Sequence, residues 1–270
     1  MRIQKRTDPV SRFAWLLLWV FLAGACARHT AVVQSPDSFT ILHLTDTHLC
    51  DLDGYHATLV EKRDHYGDGR DPLKRAFTVQ TKETGADAIV ITGDLIDFYE
   101  GTTAEGEMQA GQVEDFASLA RRASVPLWLA LGNHDISTHA VDKEAKSRTS
   151  QLHAQKARAA WIRRVDCFRD GLYYSRDVRV GDTAWRLYFL DDAYRVRDGA
   201  FSSLWDRGQL DWLDHDLDRL SGQRAILFFH IPLPVGDTNG DGVRFSNPPD
   251  GWPFADTCEK GILKILNENP

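Results

Sequence analysis

Four short clusters of metal-ligand side chains occur in order along this chain: Asp46-Thr47-His48, Gly93-Asp94, Gly132-Asn133-His134-Asp135 and a lone His230. Each follows an apolar, β-branched or aromatic run: FTILHLT, AIVIT, PLWLAL and AILFF respectively. Such runs read as strands, so the candidate ligands fall at strand ends, where loops on a rigid scaffold carry chemistry. Hard oxygen donors (Asp46, Asp94, Asn133) mixed with imidazoles (His48, His134, His230) suit Mn, Fe or Zn rather than a thiolate-bound structural zinc. A Gly-Asp pair alone reads equally well as a turn, and a lone His230 as a core residue. Order and strand context give the four their joint meaning.

The ordered set resembles the calcineurin-like metallophosphoesterase superfamily, whose pattern is DxH, GD, GNH[DE], H and then GHxH. The resemblance runs from about Phe39 to Pro270. It implies an α/β fold of two facing mixed β-sheets flanked by helices, a four-layer sandwich. It also implies two divalent or trivalent metal ions, with Mn, Fe and Zn all open, and a small phosphate-ester substrate. Asp94 would bridge the ions, Asp46 and His48 would hold the first, and Asn133 and His230 the second. Ions about 4 Å apart clamp a phosphate and lower the pKa of a shared water, and the bridging hydroxide attacks phosphorus in line. His134 matches the family's catalytic histidine and would protonate the leaving oxygen, with Asp135 orienting its ring. No GHxH follows by Pro270, so the expectation is a fold cut short at its C-terminal end and a weakened metal site. The competing class is a non-catalytic phosphoesterase-fold binding domain lacking a complete metal site. Phe229–Pro234 also looks like the FHIPLP segment of a purple-acid-phosphatase-like subgroup. That class carries a chromophoric Tyr where this chain has Asp97, so no purple colour is expected.

The elements that must position these residues follow from pattern. Phe39–Leu44 reads as a first core strand, and 51–71 as a long polar loop over the site. Leu73–Thr84 reads as a helix ended by Gly85. A strand at Ala88–Thr92, a helix at Val113–Ala123, a strand at Pro126–Leu131 and a helix at His153–Val165 come next. A hairpin of Leu172–Val180 and Thr183–Leu190 turns through Gly181-Asp182. An amphipathic helix at Gln209–Leu220 leads into a strand at Ala225–Phe229. Strand and helix alternate, which is an α/β layout. His43 reads as core; His56, His65, His139, His153 and His215 read as loop or exposed-helix residues. The run 237–242 mimics the start of a calcium loop, but Pro248 stands where the twelfth-position Glu belongs, so a Gly/Asp turn is the plainer reading.

Composition fits one globular enzyme domain: 270 residues, 43% hydrophobic and 10% aromatic, enough to bury a sizeable core. The net charge is −7, and Lys and Arg are scattered among acids with no basic stripe, which excludes a nucleic-acid groove. The amino terminus reads as a targeting segment. Arg2, Lys5, Arg6 and Arg12 precede an apolar stretch, Phe13 to Ala25, too short to span a membrane and ending in small residues. Removing residues 1–25 takes away four basic and one acidic side chain and moves the formal charge from −7 to −10. Cleavage after Ala25 would leave Cys26 for lipid attachment to a membrane; cleavage after Ala27 would release a soluble protein. Both imply export to the periplasm or cell surface. Residues 26–38 read as a tether and 39–270 as the metallophosphoesterase domain, incomplete at its C-terminus. Cys26, Cys50, Cys167 and Cys258 are too widely spaced for a disulfide scaffold. Cys50 reads as a small buried residue near the metals.

Overall fold

The computed structural model describes residues 29–35, 37–193, 195–197, 200–203, 205–220, 222–231, 262, 264–266 and 268–269. The targeting segment 1–25, Cys26, Cys258, the 237–242 loop and residues 232–234 of the FHIPLP run lie outside the described residues.

Three apolar runs form the first sheet. Strands β2 (Ile41–Leu44), β3 (Ala88–Thr92) and β6 (Leu127–Ala130) pair in parallel in the order β2-β3-β6. Every residue of β3 is buried, as a central parallel strand covered on both faces requires. Parallel neighbours need crossovers, which here carry α1 (Ala57–Arg63), α2 (residues 70–84) and α3 (Gln112–Ala120). Helix α2 contains a π turn at Ala76–Gln80 and stops at Gly85, whose φ of 63° and ψ of 32° make the left-handed cap that glycine takes without strain.

The second sheet has the order β1-β9-β10-β13, from β1 (His29–Ser35), β9 (Tyr174–Val180), β10 (Thr183–Phe189) and β13 (Arg224–Phe228). Its pairing is mixed: β9 and β10 form the expected antiparallel hairpin, while β1 and β13 each run parallel to their neighbour. Strand β10 shows why this makes layers. Its alternate residues Leu187 and Phe189 enter the core shared with the first sheet, while Tyr188, with Leu190 just past the strand, enters a second core with Leu213 and Leu217 of α5 (Arg207–Leu217). Between the sheets, Trp128 and Phe189 lie 5.9 Å apart and Tyr174 stacks on Phe189 at 4.9 Å. On the outer face of the first sheet, Phe116 of α3 meets Trp161 of α4 (Ala154–Arg164) at 5.4 Å. The result is helix, sheet, sheet, helix.

Tyr174 also closes an edge. Its hydroxyl donates to Leu129 O (3.0 Å) and accepts from Leu129 N (2.8 Å) on the side of β6 where, among the described residues, no strand pairs. A small third sheet, β5-β4-β7-β8, is built from β4 (Glu100–Thr102), β5 (Met108–Ala110), β7 (Thr138–Val141) and β8 (Ser147–Ser150) and flanks the loops that leave β3 and β6. A two-stranded ribbon joins β11 (Arg195–Arg197) and β12 (Ala200–Ser203).

Three expectations change. Residues 29–35, read as part of a tether, pair with β9; the β-branched Thr30, Val32 and Val33 suit an edge strand. His43, read as core, is exposed because β2 is an edge strand, and its Nε2 lies 2.9 Å from Thr92 Oγ1. His139, read as a loop residue, lies in β7 only 3% exposed.

Candidate metal centre

The three sheet-borne motifs converge because β2, β3 and β6 are parallel and end at the same pole. The loop after β2 is laced to the loop after β3 by backbone bonds: Asp46 N to Gly93 O (3.2 Å), His48 N to Asp94 O (2.9 Å) and Leu49 N to Leu95 O (3.0 Å). Among the described residues, four non-glycines have positive φ, and three of them are Asp46 (52°), His48 (39°) and Asp94 (48°). Such conformations cost about 1–3 kcal/mol each and persist where surrounding contacts over-determine them, as at functional sites.

Close approach also dictates two glycines. A Cβ on Gly93 would lie 2.3 Å from the His230 ring, and one on Gly132 would lie 2.3 Å from both Asp94 N and Asp94 Oδ1. Only glycine lets Asp94 and His230 occupy this space.

Asp94 is the centre. It is 4% exposed and belongs to two groups of potential ligands whose donor atoms lie within 4.8 Å of one another: His48, Asp94 and His134, and Asp46, Asp94 and His230. His48 Nε2 faces Asp46 Oδ1 at 3.9 Å and Asp94 Oδ2 at 3.7 Å, and His230 Nε2 faces Asp94 Oδ2 at 3.3 Å. Asp94 lies in both groups, and Asp46, grouped with His230, also faces His48. Asn133 opens the turn that carries His134 (His134–Ile136), and its carbonyl accepts the Ser137 hydroxyl at 2.6 Å.

Tautomers follow from the far side of each ring. His230 Nδ1 lies 3.0 Å from Thr92 O, a carbonyl that only accepts, so Nδ1 holds a proton and Nε2 is turned toward Asp94. An imidazole lone pair facing a carboxylate needs a cation between them or a proton on Nε2. Burial opposes that proton, but the hydrogen bond and charge of Asp94, with the charge of Asp192, push His230 up to about 10. Asp94 moves the other way: burial would raise it, and His230 and His134 outweigh burial. Carboxylates and imidazoles converging in this way fit hard or borderline divalent ions.

His134 stands beside this pair. Its backbone N donates to Asp94 Oδ1 at 2.8 Å and its Nδ1 to Asp97 O at 2.7 Å, leaving Nε2 free for chemistry. Arg63 Nη2 lies 3.4 Å from the same Nδ1; two donors cannot bond each other, so the guanidinium is a neighbour there, not a partner. Burial lowers the His134 pKa, but the hydrogen bonds to Asp97 and the charge of Asp94 leave it raised.

Asp135, expected to orient His134, does something else. Its fully buried carboxylate accepts from Gly132 N (2.7 Å) and Ile96 N (3.0 Å), tying together the loops after β6 and β3. Burial, with the charge of Asp94, pushes it up to about 8. Asp192 is its counterpart on the second sheet, accepting from His230 N (3.1 Å) and Ile231 N (2.6 Å). The residue that stands against His134 is Asp97, fully buried, with Oδ1 3.5 Å from His134 Nδ1 and 3.4 Å from His48 Nδ1. Asp97 lies well below the usual carboxylate range; burial would raise it, but Arg63, His134 and His48 outweigh burial. Asp97, Asp192, Arg63 and Tyr66 were not among the expected site residues. One signal was available: Asp97 and Asp192 are acids just past strand ends, like the motif residues themselves.

Comparison with known proteins addresses the fold and the family. The chain is similar in fold to the crystal structure of a dimetal phosphatase from Danio rerio, with a TM-score of 0.50 at 16% identity, covering 87% of this chain and 79% of that one. No curated protein matches. The calcineurin-like phosphoesterase family matches residues 39–267, nearly the whole span from the first β-strand motif onward. This chain belongs to the calcineurin-like phosphoesterases, hydrolases of phosphate esters that work with divalent metal ions.

Proposed function

We propose that this protein hydrolyses phosphate mono- or diesters of small molecules at a dinuclear centre around Asp94, with His134 as the proton donor, after export from the cytoplasm. The observation that carries the reading is the convergence of two ligand groups on one buried carboxylate. Bound divalent ions would supply charge for the phosphate and an acidified water. Asp94 would serve both ions, with Asp46 and His48 beside one and Asn133 and His230 beside the other. Gly93 and Gly132, lacking a Cβ, leave the room in which Asp94 and His230 approach each other. His134, held through Nδ1 by Asp97, presents Nε2 to the leaving oxygen and gives up a proton there as the ester bond breaks. Hydrolysis of an aryl phosphate and of its diaryl ester, followed with Mn, Fe and Zn in turn, tests this. Turnover should require added metal, and Asp94→Asn should abolish turnover and metal binding together. Undiminished turnover in Asp94→Asn would refute the dinuclear reading.

A further inference from the structure

We propose that Arg63 is a positioning residue for this reaction, holding the rings of His48 and His134 in register through Asp97 on one side and Tyr66 on the other. The proposal rests on the reading of His48 as ligand and His134 as proton donor.

Arg63 grips Asp97 with two N–H groups: Nε donates to Oδ2 at 2.7 Å and Nη2 donates to Oδ1. Asp97 touches both rings, since its Oδ1 lies 3.4 Å from His48 Nδ1 and its carbonyl accepts from His134 Nδ1. A fork on a carboxylate fixes the carboxylate plane as well as its place, which a point charge such as lysine does not. The same guanidinium lies over the Tyr66 ring, 4.7 Å from its centroid. Tyr66 in turn stacks on His48 at 4.3 Å and 22°. His48 and His134 meet edge to face at 4.7 Å, which closes the circuit.

The local sequence explains how one short segment delivers both groups. Helix α1 is capped by the His56 side chain, which accepts from Thr58 N, and is anchored by the fully buried Leu59. Arg63 ends this helix, and the turn Asp64–Tyr66, closed by Gly67 at φ 66°, places Tyr66 on the same site. A buried ion pair is weak evidence for stability in itself. This pair sits against the two imidazoles that the chemistry needs, so its consequence is geometric.

The test compares wild type, Arg63→Lys and Arg63→Met, all metal-loaded, on a nitrophenyl and an alkyl phosphate. Arg63→Met should lower kcat by about 10–100-fold, the usual cost of losing a group behind a ligand, with KM within about threefold. Arg63→Lys, which keeps the charge and loses the fork, should recover little. Millimolar guanidinium should restore part of kcat in Arg63→Met, with melting temperature unchanged. In metal-free protein, the imidazole nitrogen resonances of His48 and His134 should show one ring state in wild type and exchange between states in Arg63→Met. Wild-type kcat in Arg63→Met, or a loss matched by a lower melting temperature with unchanged ring resonances, would overturn the proposal. Should wild type itself show no turnover with any metal, the phosphoesterase reading of this chain fails; the ring spectra then decide on Arg63 alone, and identical spectra overturn it.

Discussion

His134 carries the sharpest contrast among single residues. It lies within reach of His48 and Asp94, so proximity alone would allow it to bind metal. As a proton donor it has a different signature. His134→Ala should leave the metal stoichiometry intact and slow alkyl phosphates far more than nitrophenyl phosphates, because a good leaving group needs no proton. Loss of metal in that variant would make it a ligand, and equal slowing of both esters would assign it charge stabilisation instead. His230 yields a pH prediction. In the metal-free protein Asp94 and Asp192 hold its ring protonated up to about 10, and a ligand must be neutral. Between pH 6.5 and about 10, metal binding there should release up to one proton, and affinity should rise by about tenfold per pH unit. Calorimetry in buffers of different ionisation enthalpy measures the release; no proton release at pH 7 would mean that His230 is not coordinated.

At the scale of elements, the centre depends on how the strand ends are held. Asp135 and Asp192 each anchor a ligand loop through two backbone N–H groups, and Trp161 Nε1 of α4 donates to Asp135 O at 2.9 Å. Helix α4 therefore reaches the site through one buried indole. The free edge of β6 is a separate liability, covered by Tyr174. Tyr174→Phe keeps the ring packing but strands Leu129 N without its acceptor, so it should destabilise the fold by about 1–3 kcal/mol. A denaturant midpoint lowered at unchanged m would confirm this, and a shift below about 0.5 kcal/mol would show that another acceptor reaches Leu129.

At the scale of the whole molecule, the fold brings candidate ligands from both sheets to one place: three motifs from the parallel sheet and His230 from the end of β13 in the mixed one. The two sheets must stay packed for Asp94 to meet His230, so metal binding should couple to global stability. Export is a proposal about the same whole chain and rests on the basic and apolar pattern of residues 2–25. In a bacterial host, a fatty-acid analogue should label Cys26, and Cys26→Ser should abolish the label. An unlabelled mature protein beginning at Arg28 would show ordinary signal cleavage, and a cytosolic product retaining Met1 would refute export.

Sequence by itself determined what repeats locally. Apolar runs of strand length, the cap at Gly85 and the Gly181-Asp182 hairpin follow from φ/ψ preference and side-chain period, and each lies where pattern places it. The residues Asp46, His48, Asp94, His134 and His230, singled out by type and by their place after apolar runs, lie together in the fold. Tertiary structure alone decided the partnerships. Asp97 and Asp135 stand at similar positions after their strands, yet one faces two imidazoles and the other two backbone amides. Arg63 and Tyr66 fall in the segment 51–71, whose polar pattern reads as a solvated loop but which folds into helix α1 and the turn after it. The physical reason is direction. Residue type states what a side chain can bond, but its partner depends on how loops from separate strands pack, and that is a long-range contact with no local signature.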